Sequence, residues 1–298
     1  INEVATDISL SATNFDENIG SGEVVITLST TDQDANDSHT YSLINGEGDA
    51  DNDSFTIDGN KLKIDSSPDY ETKSSYSIRL KTTDSGGLSF EKAVNIDVSD
   101  INEVATDIIL SATSFDENIG SGSVVTTLST TDQDLNDSHT YSLINGEGDA
   151  DNDSFTIDGN KLKINSSPDY ETQSSYNILL KTTDSSGLSY EEEFILNVND
   201  INEAATDINL SATSFDENIN ADSVIATLST EDKDIEDTHT YELVSGEEDT
   251  DNDSFIIDRD NLKINSSPDY ETQSFYNIRL KTTDSGGLSY EKTVELTV

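Results

Sequence analysis

The chain contains neither cysteine nor tryptophan. Without cysteine there is no disulfide staple and no thiolate metal site, and nothing marks the redox compartment. Without both residues the Cys–Trp–Cys core of true immunoglobulin domains cannot form. Basic side chains are scarce: 15 Lys and Arg stand against 62 Asp and Glu, a net charge of −47. Phosphate recognition depends on Lys and Arg, so nucleic acid is excluded as a partner, and adhesion to anionic membranes is disfavoured. No apolar run approaches membrane-spanning length, so direct membrane insertion is not expected, and no signal peptide precedes Ile1. The chain therefore reads as an internal excerpt of a longer protein. There is no nucleophile–base constellation either, so an enzyme is not expected.

What is present is repetition. Asp-Ile-Asn-Glu stands at Asp100–Glu103 and at Asp200–Glu203, and the chain opens on Ile1-Asn2-Glu3. Phe15-Asp16-Glu17-Asn18 returns at Phe115–Asn118 and Phe215–Asn218. A fixed period of this length means tandem copies of one domain-sized unit, which places three domains at residues 1–100, 101–200 and 201–298. Within one copy, apolar residues fall two apart: Ile8/Leu10, Val24/Ile26/Leu28, Tyr41/Leu43, Phe55/Ile57, Leu62/Ile64, Tyr76/Ile78/Leu80 and Val94/Ile96/Val98. That spacing puts successive side chains on one face of a strand, with Arg79 and Lys81 turned to water. Turn signals separate the runs and no helical stripe is sustained. The pattern predicts an all-β chain of three tandem immunoglobulin-like, seven-strand Greek-key β-sandwiches arranged end to end.

The chemistry lies in short acidic motifs. Each copy carries Glu17 in Asp-Glu-Asn, Asp32 and Asp34 in Asp-x-Asp, Asp69 and Glu71 in Pro-Asp-Tyr-Glu, and Asp84 in Thr-Thr-Asp, followed by the boundary segment. Calcium takes six to eight hard oxygen ligands, and carboxylates about 4 Å apart repel by about 4 kcal/mol at an effective dielectric near 20. Acidic groups that converge at a seam therefore call for a cation. By contrast, Asp49–Asp53 only begins like an EF-hand loop: Ser54 stands where Gly is needed and Asn60 where Glu is needed. It is expected to be a polar hairpin tip. His39, His139 and His239 each stand alone before Thr-Tyr and are expected to be structural rather than zinc ligands. Tyr70 is expected to pack over the domain base.

In order and spacing, the five motifs resemble the cadherin repeat across all three copies. The resemblance implies how they assemble. At the first junction it gathers Glu17, Asp69, Glu71, Asp100, Asn102, Glu103, Asp132, Asp134 and Asp184, with backbone carbonyls near Ile101 and Val104. At the second it gathers Glu117, Asp169, Glu171, Asp200, Asn202, Glu203, Asp232, Asp234 and Asp284, with Ile201 and Ala204. Two or three Ca2+ per junction, at two complete junctions, are implied. The outer ends would carry half-sites: Asn2, Asp32, Asp34 and Asp84 at one, Glu217, Asp269 and Glu271 at the other. The chain departs from the family where Asp16 replaces Pro, Tyr70 replaces Arg, and Glu103-Val104 replaces Asp-Asn. Lack of tryptophan excludes the strand swap by which cadherins of the Trp-anchored type adhere. The implied protein is a calcium-rigidified extender or adhesion segment of a large extracellular, cell-surface adhesin, such as a bacterial repeat adhesin. Its partners would be neighbouring repeats of the same chain, with other cell-surface molecules or glycans as further candidates and a monomeric fragment expected. The alternative is a homophilic or carbohydrate-binding adhesion module.

Overall fold

The computed structural model describes residues 1–34 and 36–298. By backbone proximity these form two compact units: residues 1–109 with 129–142 and 181–192, and residues 110–128 with 143–180 and 193–298. Among the described residues only strands and three single-turn 3-10 segments occur, and no helix is long and apolar enough to cross a membrane.

The first copy holds β1 (Asp7–Leu10), β2 (Asn14–Asp16), β3 (Val24–Thr31), β4 (His39–Leu43), β5 (Phe55–Asp58), β6 (Lys61–Ile64), β7 (Ser75–Asp84) and β8 (Ser89–Ser99). They form two sheets, β1-β3-β6-β5 and β2-β8-β7-β4. The expected first strand is thus two strands. β1 runs antiparallel to β3, and after a three-residue break β2 runs parallel to β8 in the opposite sheet. The break lets Ile8 and Phe15 both enter the core, one from each sheet. Spacing alone did not reveal β2 because only Phe15 in it is apolar and buried.

A second departure concerns Val24. Its place two before Ile26 predicts a core position, yet it is exposed, and Val25 packs on the core instead. A bulge between Val24 and Ile26 shifts the register against β6, which flips the alternation by one residue. The same bulge recurs at Val124/Thr126 and Val224/Ala226.

In the second copy β9 (Asp107–Leu110), β10 (Ser114–Asp116), β11 (Val124–Thr131), β12 (Thr140–Leu143), β13 (Phe155–Asp158), β14 (Lys161–Ile164), β15 (Ser175–Thr183) and β16 (Ser189–Asn199) repeat the order. The third has β17 (Asp207–Leu210), β18 (Val224–Glu231), β19 (Thr240–Leu243), β20 (Phe255–Asp258), β21 (Asn261–Ile264), β22 (Phe275–Thr283) and β23 (Ser289–Thr297). There the parallel strand shrinks to one bridge, Ser214 to Thr297.

The core of each copy is an aromatic trio wrapped in aliphatic residues. Phe55 meets Tyr76 edge-on at 5.2 Å, and Phe15 lies 6.0 Å from Tyr76, nearly stacked. Ile26, Leu28, Leu62, Ile78, Leu80 and Ile96 are fully buried around them. Tyr70 packs against this cluster from the base.

Asp49–Asp53 is no free hairpin tip. Its side chains substitute for a missing strand along the edge of β7 beyond the end of β4. Asp51 Oδ2 accepts the Ser77 N–H at 2.7 Å and Asn52 Oδ1 accepts the Arg79 N–H at 2.9 Å. Asn52 Nδ2 also donates to the Ile44 carbonyl, so β7 amides that would be orphaned find polar partners.

Candidate metal centres in two acidic clusters

The first acidic cluster lies wholly within the first compact unit. It begins with Glu17, which follows β2 at the base of the first copy and is only 2% exposed. Burial of this carboxylate is tolerated because both oxygens are held. Oε1 accepts the Ile101 N–H at 2.8 Å, and Oε2 accepts the Tyr70 N–H at 2.7 Å. Glu17 thereby fixes the linker and the Pro-Asp-Tyr-Glu turn together. Asn18 follows in the left-handed region at φ 58°, which asparagine tolerates, and its amide donates to Glu103.

Two triads of carboxylates then share members. Glu17, Glu71 and Asp100 offer oxygens all within 4.8 Å of one another, as do Glu71, Glu103 and Asp134. Asp134 Oδ2 accepts the Glu103 N–H at 2.8 Å, so the loop after β11 is stitched to the linker. Asn102 Nδ2 donates to Asp184 Oδ2 at 2.9 Å and to the Glu103 carbonyl at 3.0 Å. Asp184, after β15, receives the Ser186, Gly187 and Leu188 amides on its other oxygen.

The electrostatic consequence is visible in the acids themselves. Burial, then the charges of Glu17, Asp134 and Glu71, push Glu103 up to about 7 against the opposing Asn18 donor. Glu71 and Asp100 are raised as well, by burial first and by neighbouring carboxylates second. Glu103 Oε2 is buried with no hydrogen-bond partner. Carboxylates raised by burial and by one another's charge, one with an orphaned oxygen, are a donor set that a hard cation would satisfy.

The remaining residues singled out in the sequence are placed less directly. Asp69 accepts the Thr72 N–H and hydroxyl, at 3.1 and 2.9 Å. Both oxygens of Asp132 are engaged, by the Asp134 N–H at 3.2 Å and by His139 Nε2 at 2.9 Å. The Ile101 and Val104 side chains are exposed, leaving only their backbone available as ligands.

The second cluster repeats this inside the second unit. Glu117 is equally buried and accepts the Ile201 and Tyr170 amides at 2.8 and 2.9 Å. Glu117, Glu171 and Asp200 form one triad and Glu171, Glu203 and Asp234 the other. Asp234 accepts the Glu203 N–H at 2.7 Å, and Asn202 donates to Asp284 at 3.2 Å and to the Glu203 carbonyl at 3.3 Å. Asp232 is again held by its histidine, His239, at 2.8 Å. Ala204, like Val104, offers only its backbone.

Sequence reasoning missed one carboxylate per copy. Asp37 gathers with Asp32 and Asp84 within 4.8 Å. Ser85 donates to its Oδ1, while Oδ2 of Asp37, and likewise of Asp137 and Asp237, is buried without a partner. A signal existed in the sequence. The third-copy loop changes at Glu231, Lys233, Ile235 and Glu236 yet keeps Asp237. Also missed was the pairing of each histidine with the first Asp of Asp-x-Asp. At the outer ends, Asn2 and the Glu3 N–H repeat the linker contacts, to Asp84 and Asp34, whereas Glu217 is exposed and, among the described residues, accepts only the Tyr270 N–H at 3.3 Å.

Comparison with known proteins gives the family and the fold. The family model for the cadherin domain matches residues 11–99, 111–199 and 211–298, and the chain belongs to that family as three tandem cadherin domains. Mouse protocadherin Fat 4 is 30% identical over 281 residues, covering 90% of this chain and 6% of that protein. Human protocadherin gamma-A11 is 32% identical over 200 residues, 63% of this chain and 21% of the relative. The chain thus spans a small part of these relatives. Among solved structures, the protocadherin gamma-B4 extracellular domain superposes with a TM-score of 0.63 at 23% identity, covering 98% of this chain and 49% of that one. Mouse cadherin-23 EC22–24 gives 0.57 at 19% identity, with 98% of each chain covered. Protocadherin gamma-B7 EC3–6, solved as a cis-dimer, gives 0.60 at 23%, covering 98% and 74%. These likenesses carry the fold.

Proposed function

We propose that the chain is a calcium-rigidified extender and adhesion segment of a large extracellular protein, with calcium bound at its two repeat junctions. The reading rests on one observation above all: the same two interlocked carboxylate triads occur at both junctions, each with a buried, unpartnered glutamate oxygen. Glu17, Glu71, Asp100, Glu103 and Asp134 would hold the ions at the first junction, with Asn102, Asp132, Asp184 and Asp69 around them. Glu117, Glu171, Asp200, Glu203 and Asp234 would do so at the second, with Asn202, Asp232, Asp284 and Asp169. Asp137 and Asp237 join the two sets. Two or three ions per junction would neutralise carboxylates that otherwise repel, and the junction would stiffen because each set draws on the base of one copy, the linker, and the loop after β11 or β18 of the next. The work is structural and adhesive rather than enzymatic.

The animal relatives give no support to a bacterial host, so the proposal concerns the segment and not its source. Small-angle scattering through a calcium titration tests it. Calcium should narrow the distribution of sizes and raise the maximum dimension, and chelator should reverse both. Profiles that coincide with and without calcium would remove the function. Sedimentation in calcium separates a monomeric spacer from a homophilic module, which would sediment as a dimer or larger.

A further inference from the structure

The two junctions share the proposed ligands, but the Asp-x-Asp loop differs between them, and one of the changes introduces a cation. Gln133 stands in the first and Lys233 in the second. The Lys233 ammonium lies 3.5 Å from Asp169 Oδ1 and 3.6 Å from Glu203 Oε1. Both carboxylates belong to the ligand set proposed above, one from the base of the second copy and one from the linker. Among the described residues Asp169 Oδ1 is buried with no hydrogen-bond partner, and the Lys233 ammonium lies within ion-pair reach of it. Burial alone would lower the Lys233 ammonium, yet Asp169 and Glu203 hold it above its ordinary value. Asn136 also becomes Glu236 in this loop, but Glu236 is exposed and makes no ion pair among the described residues, so it does not cancel the local effect.

We infer that Lys233 is a built-in counter-cation of the second junction: it bridges Asp169 and Glu203 when calcium is absent and must release them when calcium binds. The inference rests on the calcium reading for its second half only. A +1 charge at the mouth of the cluster substitutes for part of the metal's work, so the second junction keeps more order in chelator than the first. The same charge repels an incoming divalent ion and competes for two of its ligands, so the second junction fills at higher calcium. Exposed ion pairs are individually weak, so the expected difference in calcium midpoint is about fivefold.

The lack of native cysteine makes the test clean, since introduced thiols are the only sites for labels. Exposed residues at matching positions, Thr56 with Ser129 and Thr156 with Ser229, are changed to cysteine in the full chain and spin-labelled. Electron-spin distance distributions are then recorded in chelator and through a calcium titration. In chelator the second pair should give the narrower distribution. Lys233→Gln should broaden it to resemble the first pair, Lys233→Arg should preserve it, and Gln133→Lys should narrow the first. In calcium, Lys233→Gln should lower the second midpoint about fivefold. A second-pair distribution in chelator that Lys233→Gln leaves unchanged would overturn the bridge. An unchanged midpoint would overturn the competition. If neither pair responds to calcium, the calcium reading fails, while the chelator measurement still decides the bridge.

Discussion

Replacing Asp134 by Asn should have opposite effects with and without calcium. Glu71, Glu103 and Asp134 present oxygens within 4.8 Å of one another, which makes three repelling pairs. At that separation each pair costs about 3.5 kcal/mol at an effective dielectric near 20 and about 0.9 kcal/mol at the dielectric of water. The cluster is only half-buried, so the lower limit governs. Asp134→Asn deletes two pairs and so relieves about 2 kcal/mol. Against this, the Glu103 N–H bond to Asp134 Oδ2 loses its charged acceptor, a cost of about 1 kcal/mol, though the amide oxygen still accepts. The net gain of about 1 kcal/mol should slow hydrogen exchange of the Glu103 amide about fivefold in chelator. The measurement belongs at pH 8, where Glu103, pushed up to about 7, is mostly ionised. In calcium the sign reverses, because a ligand is lost, and exchange at Glu103 should quicken. Glu203 N–H, bonded to Asp234, serves as the internal control and should not move. A change of the same sign in both conditions would refute the electrostatic account.

Other outcomes follow from the same contacts. The folded-state value of Glu103 lies above its ordinary 4.5, so the folded chain binds the extra proton. In chelator that stabilisation should be complete below about pH 4.5 and vanish as pH rises through about 7; Glu103→Gln should flatten this part of a Tm-against-pH profile. Calcium must displace the same proton, so affinity measured by calorimetry should climb across that window. Phe55→Ala opens the aromatic trio and should cost about 3–5 kcal/mol in denaturant melts of its repeat, whatever the calcium concentration. Asn52→Ala strands the Arg79 N–H and the Ile44 carbonyl and should cost about 1–3 kcal/mol, again independently of calcium.

Much of this was legible in the sequence, for identifiable reasons. Alternation in Tyr76/Ile78/Leu80 survives because β7 is long, regular and central, and all three residues are buried. Glu17, Glu71, Asp100 and Asp134 could be marked because their chemistry is carried by residue type at a repeated position. The parallel strand β2 was hidden because a three-residue element with one apolar side chain has no period. Val24 was misplaced because a bulge advances the register without leaving a mark in composition. Asp37 and its equivalents escaped because their approach to Asp32 and Asp84 depends on the turn closed by the Asp37 N–H on the Asp34 carbonyl, which spacing does not encode. The contact between Lys233 and Asp169 spans 64 positions and comes from tertiary folding alone.

The central claim is that the paired carboxylate triads are calcium sites. The most direct measurement is a calorimetric titration of calcium into the chain beside the double variant Glu103→Gln, Glu203→Gln. The account predicts saturable binding with a dissociation constant of about 10⁻⁴ to 10⁻³ M, more than one ion per junction, and a marked weakening in the variant. Absence of saturable binding in that range, or an isotherm the double variant leaves unchanged, would contradict it.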